Sequence, residues 1–143
     1  MAYAAQQDLI DRFGEEELVQ LTDRTNLPAS TIDADVVTAA LSDAEALADS
    51  YLAKRYQLPL DPVPDVLTRT VADVARYFLH GRRTDKDDPV TRDYGQALAW
   101  LKDVARGLVE LDAAGIAPDQ SGDGQVQVSA PDRVFSRGSL SGF

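Results

Sequence analysis

The chain has 143 residues, 44% of them hydrophobic and 27% charged, enough for one domain with a real core and too few for two. It contains no cysteine, which excludes disulfide scaffolds, thiolate metal sites and cysteine nucleophiles together. A formal net charge of -10 argues against free-standing nucleic-acid binding, because phosphate neutralisation needs clustered Lys and Arg.

In chain order, Met1 to Gln6 has neither a basic region nor an apolar stretch, and no later run approaches the roughly 18 apolar residues of a membrane span. The expectation is a chain made and retained in the cytoplasm, with no membrane partner. Gln7 to Phe13 reads as a short helix stopped at Gly14, and Glu15 to Leu21 as a second short one. The carboxylates of Glu15, Glu16 and Glu17 suit the positive end of a helix dipole, which accounts for the run without a metal or a substrate. Thr22 to Ile32 carries Asp23, Asn26, Pro28 and Ser30 and reads as a loop.

The third helix opens at the N-cap Asp33 and places Val37, Leu41, Ala44, Ala48, Tyr51 and Leu52 on one stripe, with Asp35, Ser42, Glu45 and Asp49 opposite. It is expected to end near Tyr56, before a corner in which Pro59, Pro62 and Pro64 forbid a continuous helix. A fourth helix then carries Val66, Leu67, Val71, Val74, Ala75, Phe78 and Leu79 on its apolar face up to Gly81. Asp65 with Arg69, and Asp73 with Arg76, stand at spacings that let opposite charges support it by roughly 0.2–0.5 kcal/mol a pair. After a charged turn, Asp88-Pro89 starts a fifth helix with Val90, Tyr94, Ala97, Leu98, Leu101, Val104, Ala105 and Leu108 in helical period. Trp100 lies on the flank of that stripe; it and Tyr56 are candidate subunit contacts, since large aromatics anchor interfaces as well as cores.

The character changes after Leu111. Residues 112–124, rich in Ala, Gly, Ser and Asp, read as a flexible linker, and 125–143 as an extended arm. Gln125 to Ser129 alternates like a strand, Pro131 interrupts it and Arg133 to Arg137 resumes it. The fold class is therefore mainly α: a small bundle of four to five helices over 1–111, followed by an arm with short strand or hairpin segments. A lone hairpin is marginal in water, so the arm is expected to need a partner surface. Val126, Val128, Arg133, Val134, Phe135, Arg137, Leu140 and Phe143 are its candidate contact residues.

No catalytic pattern emerges. His80, the only histidine, closes the fourth helix, where a cation meets the negative end of the dipole, and nothing adjacent in sequence marks it as a general base. There is no G-x-S-x-G elbow, and Gly122-Asp123-Gly124 lacks the lysine and later glycine of a phosphate loop. Asp119 and Asp123 miss the spacing and the terminal glutamate of an EF-hand loop. Paired carboxylates on solvent faces lack the burial that an acid catalyst requires. The expectation is a non-enzymatic protein with no cofactor and no metal.

Three segments resemble a known family. Asp8-Leu9-Ile10-Asp11-Arg12-Phe13-Gly14-Glu15-Glu16-Glu17-Leu18-Val19-Gln20-Leu21-Thr22-Asp23 is similar to the N-terminal signature of the Mu-like prophage head-tail joining proteins, the connector or head-completion family. Ala48 to Leu60 followed by Val63-Pro64 resembles that family's long helix and proline corner, and Asp73 to Leu79 its next helix. The resemblance covers about the first 110 residues, with a weaker echo in Arg133 to Phe143. It implies a structural subunit of the phage neck, assembled in the host cytoplasm and carried in the virion. Such a subunit forms a homo-oligomeric ring, twelvefold to match a portal, and meets the portal protein on one side and a tail-side neck or tail-terminator protein on the other. DNA passes its channel without specific binding, which an acidic surface would favour. One departure stands out: Thr25-Asn26-Leu27-Pro28-Ala29-Ser30 occupies a loop that is rich in aspartate and glycine in relatives, so no metal role carries over. Charge and size alone also fit a different class, a small acidic inhibitor or DNA mimic acting on a nucleic-acid enzyme.

Overall fold

A computed structural model describes residues 2–81 and 84–112. Within them the chain forms five helices: α1 Gln6–Phe13, α2 Glu15–Thr22, α3 Ala34–Leu52, α4 Asp65–His80 and α5 Pro89–Arg106. The expected mainly α bundle is what forms, and no strand occurs among the described residues. The expected linker and strand-bearing arm fall, apart from Asp112, outside the described residues.

Local chemistry sets the helix ends. Asp33 accepts from the N–H groups of Asp35 and Val36 at 3.0 and 3.3 Å, and Asp88 accepts from that of Val90 at 3.1 Å with Pro89 in the first turn. Each cap satisfies backbone donors that the first helical turn leaves unpaired. Gly14 joins α1 to α2 at φ 90, a conformation that L side chains rarely adopt. Gly107 ends α5 at φ 80 in the left-handed region, its N–H capping Asp103 and Val104 carbonyls.

Helices α3, α4 and α5 pack together, with α1 and α2 laid across α3 and α4. The pairing of Tyr77 with Tyr94, and of Val66 with Trp100, shows α4 and α5 running in opposite senses. The apolar stripes meet in one core whose fully buried members include Leu9, Leu18, Val37, Leu52, Leu60, Leu67, Val71, Val74, Leu101 and Val104. Each such side chain contributes about 1.5–3 kcal/mol relative to remaining exposed, so packing rather than propensity holds these short helices. The proline corner is part of that core, because Leu60 is fully buried and Leu58 and Val63 pack against it.

The structure departs from the sequence expectation in four places. Helix α3 stops at Leu52, short of Tyr56. Leu108, expected on the α5 stripe, is 73% exposed because the chain turns at Gly107 and leaves the helical period. Val66, expected on the α4 stripe, is 53% exposed, while Thr70 and Ala72 are buried instead. Finally, Arg69 reaches Asp73 at 4.0 Å rather than Asp65, and Arg76 turns away from Asp73 to a partner on α2.

Candidate functional site

Three constructions stand out from a generic bundle. The first is a tether at the N-terminus. Tyr3 is buried; its N–H donates to Glu45 Oε1 at 2.8 Å, its hydroxyl to Asp49 Oδ1 at 2.6 Å, and its carbonyl accepts from Thr68 Oγ1 at 2.8 Å. Burial and then the Asp49 carboxylate push the phenol well above its ordinary range, so it remains a donor. Glu45 and Asp49, read from sequence as a solvent face of α3, thus hold the start of the chain against α3 and α4.

The second is a charged clamp between α2 and α4. Arg76 donates through Nε to Glu17 Oε1 at 2.6 Å and through Nη2 to Oε2 at 2.9 Å, a bidentate fork. Its guanidinium also lies 4.5 Å from the centre of the Phe13 ring, and His80 Nε2 stands 3.2 Å from Glu17 Oε1. Burial opposes the charge on Glu17, but hydrogen bonds from Arg76 and then His80 outweigh it and hold the carboxyl below its ordinary range. Of the three glutamates read as a helix-start run, one is therefore a tertiary ligand for the C-terminal half of α4. His80 belongs to this clamp.

The third is the loop between α2 and α3, organised by one aspartate. Asp23 accepts from the backbone N–H groups of Thr25, Asn26, Ser30 and Thr31 at 2.9–3.1 Å, and from Asn26 Nδ2 at 2.9 Å. The Ser30 N–H, then the Asn26 side chain and backbone, hold its carboxyl far below the usual carboxylate range. Beside it the buried Thr22 hydroxyl donates to the Leu18 carbonyl at 2.7 Å and accepts the Asp33 N–H at 3.0 Å, coupling the end of α2 to the start of α3. At the tip of this fixed loop Leu27 is 100% exposed.

The two candidate subunit contacts separate in space. Trp100 is half-buried on a shallow groove between α4 and α5, lined by Val66, Ala97, Arg69, Asp73 and Asp93 among others, so it keeps an open surface. Tyr56 does not: it is buried, and its hydroxyl accepts the Leu111 N–H at 3.0 Å, so the ring serves this chain's own core. The arm candidates Val126, Val128, Arg133, Val134, Phe135, Arg137, Leu140 and Phe143 lie outside the described residues. Sequence reasoning passed over Tyr3, Arg76 as the partner of Glu17, and Leu27. Only the last carried a local signal, an apolar residue amid turn formers.

Among the described residues no three His, Asp or Glu side chains are placed to hold a metal ion, and no helix is long and apolar enough to cross a membrane. The described surface carries a fixed loop with an apolar tip, and a groove lined by Val66, Ala97 and Trp100 together with Arg69, Asp73 and Asp93.

Comparison with known proteins matches the sequence to a phage family. The family described as "Bacteriophage Mu, Gp36" matches residues 3–130. The chain is similar to "Mu-like prophage FluMu protein gp36" of Haemophilus influenzae, 37% identical over 146 residues covering 99% of this chain and 97% of the relative. It is also similar to "Gene product J" of Escherichia phage Mu, 34% identical over 138 residues covering 96% of each. The Mu-like resemblance carried by Asp8 to Asp23 thus extends through nearly the whole chain, and the protein belongs to the bacteriophage Mu Gp36 family.

Proposed function

We propose that this chain is a structural subunit of the phage neck, a head-tail adaptor that forms a ring beneath the portal and links the filled head to the tail. The observation that carries the reading is near full-length kinship with proteins of Mu and a Mu-like prophage. The titratable groups with structural partners are used internally: Glu17 by Arg76 and His80, Asp23 by its own loop, Asp49 by Tyr3. A closed ring needs two different, complementary patches on each subunit, and the α2–α3 loop and the α4–α5 groove supply two of unlike shape. The net charge of -10 suits a passage along which DNA slides without adhering.

Disruption of the gene in its phage tests this reading. The expected lysate contains filled heads and complete tails that remain unjoined, and adding the purified protein restores infectious particles. Joined, infectious particles formed without the protein would overturn it.

A further inference from the structure

The α2–α3 loop presents an uncommon combination. Leucine at full exposure sits on a segment whose backbone is fixed by four N–H bonds to Asp23, so the apolar tip is held out rather than free to fold back. A contact made by such a loop loses little ordering entropy. Arg24 is exposed on the same loop and makes no ion pair with any described residue.

The complementary surface lies elsewhere on the same chain. In the α4–α5 groove, Val66 is 53% exposed and Trp100 half-buried, an apolar floor that the bundle does not cover. Asp73 and Asp93 flank it. Each has an exposed arginine beside it: Arg69 stands 4.0 Å from Asp73 with its side chain 73% exposed, and Arg92 bonds the adjacent Asp93 with its side chain 67% exposed. Burial pushes the Asp73 carboxyl up, against the pull of Arg69 and with the Asp93 charge adding to the rise. The loop cannot fill this groove within its own chain, because Leu27 touches nothing there, and because the Glu17–His80 and Thr22–Asp33 contacts fix α2 and the loop's ends toward the C-terminal end of α4. The groove lies along the N-terminal half of α4.

We propose that the occupant of the groove is the 23–31 loop of a second copy of this chain, with Leu27 seated against Val66 and Trp100 and Arg24 facing Asp73 and Asp93. The contact is head-to-tail, so each copy offers a loop to one neighbour and a groove to the other, and rotation closes the series into a ring. Apolar insertion supplies the bulk of the attraction and the charges set register and partner. This inference rests on the ring reading above and specifies which surfaces make the ring.

The chain has no cysteine, so an introduced pair is unique and directly readable. Phage carrying Leu27→Cys with Val66→Cys is grown, and purified particles are treated with a short bismaleimide; parallel wild-type particles are treated with a lysine-directed crosslinker. The proposal expects a ladder of covalent multimers from the double variant and none from either single variant. A lysine ladder without a cysteine ladder overturns the proposed contact and leaves the ring standing. The absence of the chain from particles, or a chain present with neither ladder, overturns both. A charge swap gives an independent readout: Arg24→Glu is expected to lower infectious yield on the order of tenfold or more, since like charges across a contact cost more than 1.4 kcal/mol. Adding Asp93→Arg should recover that yield. Leu27→Asp should melt like wild type yet fail to assemble, and normal assembly by that variant refutes the contact.

Discussion

Removing the Glu17 carboxylate tests how the two short N-terminal helices are held. The Arg76 and Glu17 side chains are 21% and 27% exposed, between fully exposed pairs, which contribute about 0–1 kcal/mol, and buried ones, whose disruption costs about 3–5 kcal/mol. Two charge-assisted bonds at this exposure should couple by about 1–2 kcal/mol after screening is discounted. In a double-mutant cycle of Glu17→Gln and Arg76→Gln, followed by urea unfolding, that coupling energy is the expected result. At about 4 °C per kcal/mol for a domain of this size, Glu17→Gln alone should lower Tm by about 4–8 °C. Arg76→Lys should not be neutral, because lysine keeps the charge but loses both the fork and the planar contact with Phe13.

The pH dependence carries a sign. The folded-state carboxyl of Glu17 is held below its unfolded value, so its contribution is full above the ordinary glutamate range near about pH 4.3 and is lost as pH falls through the lower folded value. The stability gap between wild type and Glu17→Gln should therefore shrink on acidification. A coupling below about 0.3 kcal/mol, or a gap independent of pH, refutes the clamp.

Leu101→Ala, in the centre of the core, should cost about 2–5 kcal/mol, measured as a fall in the urea midpoint with an unchanged slope. Asp23→Ala should leave the helical circular dichroism intact while the Thr25, Asn26, Ser30 and Thr31 amides lose hydrogen-exchange protection, because all four donate to that carboxylate. Tyr3→Phe removes the bond to Asp49 and should destabilise by about 1.5–3 kcal/mol with the fold retained. Deleting residues 125–143 should leave the melt of the helical body unchanged and abolish head-tail joining in infected cells; particles that still join tails and infect would remove the arm from the account.

The bundle was legible because its signals are periodic and local. The Asp33 and Asp88 caps and the stripes Val37–Leu41–Ala44–Ala48 and Leu67–Val71–Val74 depend on neighbours three and four residues away, and those neighbours are printed in the sequence. Periodicity failed where a single backbone event broke it, as at Gly107, which turns Leu108 into solvent, and at Val66, where α4 faces the groove rather than the core. Charge partners were the least legible. Arg76 has Asp73 three residues behind it, yet the bidentate fork lies with Glu17, 59 residues away, where burial strengthens each bond. Tyr3 and Tyr56 illustrate the same limit, since an aromatic's burial depends on which distant helix arrives beside it. Trp100, a candidate subunit contact on the flank of its stripe, lies half-buried on the groove between α4 and α5, where the flank of an apolar stripe meets the neighbouring helix.

The central claim is that this chain forms a ring between portal and tail. A density map of intact particles at side-chain detail tests it most directly, by fitting the five-helix body at the head-tail junction. The account predicts repeated copies closing a ring against the portal, with each 23–31 loop on a neighbour's α4–α5 groove. Purified infectious particles whose neck density contains no copy of this fold would contradict it.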